Sequence, residues 1–229
     1  MLLYLETTVF NVNAQVIVNT VNCVGVMGNG LALECRLRYP EMFTDYVVRC
    51  RRGEVQIGKP YLYWYAETFG ILNFPCKDHW KFPSRVEWIR RGLSGFLDLL
   101  PQYPITSIAF PPLGCDLGRL RWRDVQPVME HALGGLPYDV HICLDREECA
   151  TGIEGAMVGM LNDVENPFWL SALDLPSRTQ NALRAVLPVK RIRDLRQADG
   201  VGKTTYERVH RYLCGYSCQL HILNGGTSP

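Results

Sequence analysis

The chain has 229 residues, 47% of them hydrophobic and 21% charged, with a formal net charge of +1. This is the balance of a globular protein with a sizeable core, and it excludes a disordered chain or a uniformly basic one. No apolar run is long enough to span a bilayer. The apolar start MLLYLETTVF lacks a basic leader and a small-residue cleavage site, so it is predicted as a first strand of a cytoplasmic protein. Cysteine occurs nine times, as Cys23, Cys35, Cys50, Cys76, Cys115, Cys143, Cys149, Cys214 and Cys218, with no repeated C-x-x-C pair. Free thiols in a reducing compartment are expected. No metal or cofactor is expected either, because no acidic or His/Cys cluster has ligand spacing.

In chain order, residues 2–6, 15–20, 61–65, 70–74, 106–110 and 138–144 read as strands, and 29–38, 40–51, 84–100 and 123–133 as helices. Alternation of this kind predicts an α/β fold with a mixed sheet flanked by helices on both faces. After Asp145 the strand signal ends, and residues 146–167 read as a weak helix and linker. A small all-helical domain is predicted over 168–229, with helical stretches at Ser171–Leu187 and Lys190–Gln197, and another from Lys203 to about Leu213. From Arg178 to Arg211 there are nine Lys/Arg against three Asp/Glu, so this tail is basic.

Two strands run straight into glycine-bearing loops. The first loop, Asn19 to Gly30, contains Gly25, Gly28 and Gly30 ahead of a helix. The second, Pro111 to Gly118, contains Gly114 and Gly118. Glycines let backbone N–H groups approach an anion closely, and a following helix N-terminus favours negative charge. Two such loops can clamp a diphosphate, or they are ordinary turns. Between them, Ile71 to Trp80 leaves a strand and places Lys77, His79 and Trp80 at its end. A lysine beside a wall of Phe74, Trp80 and Phe82 would lose hydration, which favours the neutral nucleophilic amine. The plain alternative is a surface lysine near a turn. Cys76 and Cys115 have no histidine at readable spacing and are expected as buried small hydrophobes.

NTVNCVGVMGNGLAL, NFPCKDHWKFPSRVEWIRRGL and SIAFPPLGCDLGRLRW, in that order, resemble the macrodomain of the DNA ADP-ribosyl glycohydrolase antitoxins called DarG, over most of residues 1–145. The resemblance implies a macrodomain fold, ADP-ribose binding, and removal of ADP-ribose from nucleobases in DNA modified by a partner toxin of the DarT type. It implies that Asn22 contacts the distal ribose. Gly28, Asn29 and Gly30, with Leu113, Gly114, Cys115, Leu117 and Gly118, would wrap the diphosphate and that ribose. Thr8 and Val9 fall where many macrodomains hold the adenine, with Thr8 in place of an acidic residue. Lys77 falls on the family's catalytic lysine, proposed to attack the anomeric carbon and form a covalent adduct; direct hydrolysis, with Lys77 only stabilising charge, is the alternative. The assisting aspartate of the lysine-using relatives stands two positions further on, at Gly118 here. Asp116 either supplies the carboxylate from the neighbouring position or stabilises the turn. His79 and Trp80 are candidates for contacting the modified base, with ordinary packing the alternative for Trp80.

The tail from Leu173 to Thr204 resembles the C-terminal domain of the bacterial RNA polymerase α subunit, a helix-hairpin-helix relative. This implies DNA contacts by Arg178 and Asn181 and by the turn of Gly202, Lys203 and Thr204, although the segment from Leu195 to Gly200 is shorter than in that domain. A protein-binding adaptor or a merely solvated basic face is the alternative. The tail is not similar to the longer region with which DarG antitoxins neutralise their toxin, so direct neutralisation is not expected. The leading expectation is an ADP-ribosyl glycohydrolase acting on DNA. Its rivals are a non-catalytic ADP-ribose reader coupled to DNA or a protein partner, and the same enzyme acting on protein or RNA.

Overall fold

The computed structural model describes residues 1–223, the last four by backbone alone, so the end of the expected 168–229 domain lies outside the described residues. The chain divides into two units, Met1–Arg146 and the remainder from Glu147.

The first unit is a six-stranded sheet between helices. The strands are β1 (Leu2–Leu5), β2 (Val16–Asn22), β3 (Tyr61–Ala66), β4 (Phe69–Lys77), β5 (Ser107–Phe110) and β6 (Asp139–Cys143), in the order β1-β6-β5-β2-β4-β3. Every pairing is parallel except that of β3 with β4. The helices are α1 (Gly30–Arg38), α2 (Pro40–Arg51), α3 (Val86–Leu99) and α4 (Trp122–Leu133). Strand β2 shows why this architecture forms. Val16 and Val18 enter one core with Leu72, Phe74, Ile89 and Leu93, while Ile17 and Val21 enter another with Met27, Met42 and Tyr46. A strand apolar on both sides has to be covered on both faces.

Strand β4 runs three residues beyond the sequence expectation of 70–74. Pro75 lies within the added stretch, and proline has no N–H for a ladder. The pairing of β3 with β4 ends at Asn73, so beyond that point β4 has a strand partner only in β2. A proline is tolerated there.

The second unit contains α5 (Gly152–Asn162), α6 (Phe168–Ala172), α7 (Ser177–Val186), a 3-10 turn at Ile192–Gln197 and α8 (Lys203–Leu223). The weak helix expected within 146–167 is α5, whose glycines weakened its signal; Met157 and Leu161 are wholly buried. Two expectations are corrected. The stretch Ser171–Leu187 is two helices, broken where Asp174 takes φ +44° and Pro176 follows. Helix α8 continues ten residues past Leu213. Among the described residues no helix is long and apolar enough to cross a membrane.

Candidate active site

The parallel strands β5, β2 and β4 are neighbours, so the segments leaving their carboxyl ends lie side by side on one edge of the sheet. These are the first glycine loop, the turn from Asp78 to Arg85, and the second glycine loop. They are tied to one another. Cys23 N donates to Asp78 O at 3.2 Å, and Ser84 N donates to Gly118 O at 2.9 Å. Lys77 is the sheet partner of Asn22. Its half-buried side chain crosses to the second loop, where Nζ donates to Leu117 O, and it also donates to Trp80 O at 3.4 Å. The expected lysine thus stands at the junction of all three segments. Its expected wall is only partly there: Phe74 is buried, but Trp80 and Phe82 are 49% and 60% exposed, because the turn carries them outward.

Asn22, expected on the ribose, also organises the loop that holds it. Its Oδ1 accepts from Val24 N at 3.0 Å, Val26 N at 3.3 Å and the Tyr46 hydroxyl at 3.1 Å, while Nδ2 donates to Val26 O. One amide hydrogen is left for a ligand hydroxyl. Beneath it Asn19 Nδ2 donates to Asn73 Oδ1 at 2.9 Å, both side chains wholly buried. Sequence reading missed this pair, although asparagines inside strands otherwise apolar on both sides were a signal. Gly28 is half-buried, Asn29 and Gly30 are exposed, and Asn29 makes no side-chain cap bond to α1. The first turn of α1 therefore keeps the donor character that suits a phosphate.

In the second loop Leu113 is wholly buried, while Cys115 is half-buried and Leu117 is 50% exposed. A turn forms around Gly114, whose carbonyl accepts from Leu120 N at 3.0 Å. Gly118 is buried, and a Cβ on it would overlap Gly114 O and come within 2.6 Å of Ser84 Oγ. The position that bears the assisting aspartate in the lysine-using relatives therefore has no room for a side chain. Asp116 is exposed and forms no ion pair with Lys77. Its Oδ2 faces the start of α1, 3.3 Å from where a Cβ on Gly30 would sit. Gly118→Asp is expected to lower stability by about 3 kcal/mol through overpacking, with no gain in turnover. A variant as stable as the parent in chemical denaturation would overturn this packing argument.

Thr8 is buried and its hydroxyl accepts from Phe10 N at 3.2 Å, which leaves it a donor toward any ligand. Val9 lies in the core, so only its backbone remains for a ligand. His79 and Trp80 stack with centroids 5.5 Å apart, and His79 Nδ1 accepts from Lys81 N at 3.2 Å. Burial pushes the thiols of Cys76 and Cys115 up to about 11, so neither is a ready nucleophile. Cys76 is buried as expected.

In the second unit Arg178 and Asn181 are both exposed on α7, and Gly202, Lys203 and Thr204 are exposed at the start of α8. A Cβ on Gly200 would lie 3.2 Å from Ala182 Cβ, so the glycine turn packs beside α7. The structure brings these five residues to adjoining elements. Arg191, one of the nine basic tail residues, is instead internal. It pairs with Glu154, Nη2 to Oε2 at 2.8 Å and Nε to Oε1 at 3.0 Å, with both side chains about 5% exposed.

The family profile described as Macro domain matches residues 18–129. A protein of Mycobacterium tuberculosis named DNA ADP-ribosyl glycohydrolase is 43% identical over 140 residues, which cover 60% of this chain and 40% of that protein. The solved macrodomain of M. tuberculosis DarG is 40% identical with a TM-score of 0.60, over 63% of this chain and 98% of that one. Thermosipho africanus DarTG, solved in complex with ADP-ribose, is 33% identical with a TM-score of 0.60, over 67% of this chain and 44% of that one. The chain belongs to the macrodomain family, and its first unit is a macrodomain of the DarG kind. It spans two fifths to just under half the length of the curated DNA ADP-ribosyl glycohydrolase relatives it matches.

Proposed function

We propose that this chain is a DNA ADP-ribosyl glycohydrolase, releasing ADP-ribose from nucleobases. The observation that carries this reading is Lys77, set at the end of β4 in register with Asn22 and joined to Leu117 of the second glycine loop. The relatives' names support the reaction, and the relative solved with ADP-ribose supports the ligand. In this reading the first loop and the α1 N-terminus hold the diphosphate, the second loop closes over it, and Asn22 takes a ribose hydroxyl. His79 and Trp80 meet the base. Lys77 either attacks the anomeric carbon or neutralises charge there. Asp116, turned toward Gly30, is better placed to order the loop than to assist Lys77.

The exposed residues Arg178, Asn181, Gly202, Lys203 and Thr204 are proposed as a DNA-backbone contact that holds the substrate. A toxin of the DarT type, as in the combined DarTG relative, is the proposed source of the modification, and the cytoplasm the proposed location. Incubation with ADP-ribosylated DNA, RNA and protein, read by mass, is expected to show release from DNA at least about tenfold faster than from the others. Calorimetric binding of ADP-ribose with no release from any of them would favour the non-catalytic reader. In the same assay Arg178→Ser with Lys203→Ser should weaken the salt dependence on DNA.

A further inference from the structure

The turn after Lys77 is held at both ends and spends its apolar tips on solvent. Asp78 O is bonded to the first loop and Ser84 N to the second, while Phe82 N donates to His79 O at 3.1 Å. Within this fixed frame His79 stacks on Trp80 and packs against the Phe82 ring at 5.7 Å, yet Phe82 is 60% exposed. A rigid turn that leaves two large rings in water is unusual unless something covers them.

The charges around it are suited to one kind of cover. Lys81, Arg85 and Arg119 are exposed, and among the described residues no carboxylate pairs with any of them. Lys81 Nζ lies 5.2 Å from the Trp80 ring centroid and the Arg85 guanidinium 5.1 Å from that of Trp88. Arg85 and Arg119 each follow one member of the bonded pair Ser84 N to Gly118 O, so their backbones lie side by side. Of the exposed carboxylates nearby in the chain, Asp78, Glu87 and Asp116, the last turns its Oδ2 toward Gly30. Interleaved aromatic rings and unpaired cations bind a single nucleic-acid strand, by stacking of bases and pairing with phosphates.

We infer that the macrodomain unit also grips the nucleotides flanking the modified one, with Phe82 stacking on a neighbouring base and Lys81, Arg85 and Arg119 taking its phosphates. This rests on the glycohydrolase reading and extends the substrate from one nucleotide to a short strand.

The test uses the full chain and two forms of one substrate. One is a single-stranded ADP-ribosylated oligonucleotide; the other is the ADP-ribosylated nucleoside made from it by nuclease digestion. The parent protein is expected to have a KM at least about tenfold lower for the oligonucleotide. Phe82→Ser should raise that KM about tenfold, the worth of one stacked base, and leave the nucleoside KM within about twofold. Lys81→Ser, Arg85→Ser and Arg119→Ser together should reduce the slope of log affinity against log salt by about 2. Equal KM for the two forms, with release from both, overturns the inference and leaves the glycohydrolase reading standing. Variants that change neither KM, as they would if the turn served a polypeptide partner, overturn it too, and so do variants that change both equally. Release from neither form overturns the reading and the inference together.

Discussion

Lys77→Ala is expected to stop release of ADP-ribose from a modified oligonucleotide, lowering turnover by at least about 10²-fold, while affinity for free ADP-ribose stays within a few-fold. The geometry gives the reason. A neutral lysine amine has two N–H groups and one lone pair, and the carbonyls of Leu117 and Trp80 are placed to take both hydrogens. The lone pair is then directed away from them and is available to a carbon in the cleft. In the charged form the same two carbonyls would hold a cation at the proposed site of bond cleavage. Lys77→Arg separates the two roles, because guanidinium keeps the charge but is not a nucleophile. Activity retained in that variant would point to charge stabilisation. A rapid-quench mass gain of one ADP-ribosyl group on the parent protein, absent from both variants, would establish the adduct. Unchanged release by Lys77→Ala would sink both versions.

The largest effect on stability is expected at Glu154→Ala. Glu154 lies on α5, and its carboxylate accepts from Arg191 Nε and Nη2 and from Ile192 N at 3.0 Å. The remaining guanidinium edge donates to Glu147 O at 2.9 Å. This network ties α5 to the start of the 3-10 turn. Truncating Glu154 leaves a buried guanidinium without its counter-charge, at a cost of about 3–5 kcal/mol. Loss of helical signal at lower denaturant would report it. Replacing the pair together, Glu154→Leu with Arg191→Met, removes both charges and should recover most of the loss. A single variant as stable as the parent would show that the pair does not hold the unit.

Most of the first unit was legible because its signals are local. Strand β2 is apolar on both sides, and α3 places Ile89, Leu93 and Phe96 on one face, so period alone locates them. The candidate site was legible as three segments in chain order. Which strands are neighbours is a long-range fact, however, and the join of Lys77 to Leu117 depends on it. The crowding of Gly118 by Gly114 and Ser84 was equally hidden, since it arises from residues far apart in the chain. In the second unit, Gly152, Gly155 and Gly159 made α5 read as no more than a weak helix in a linker. It is tied to the rest of the unit by the Glu154–Arg191 pair, two residues 37 positions apart. Composition counted Arg191 among the surface cations, although it is internal.

The register of β2 on β4 has a further consequence. Val21 pairs with Pro75 and Asn22 with Lys77, so Cys76 is an extra residue with no counterpart on β2. Side chains alternate along a strand, and one added or missing residue reverses everything after it. Single-residue deletions near Cys76 should therefore be far more damaging than substitutions there. Anyone grafting this lysine onto another macrodomain scaffold has to transplant the two-against-one count with it, because the position of Lys77 opposite Asn22 is set by that count.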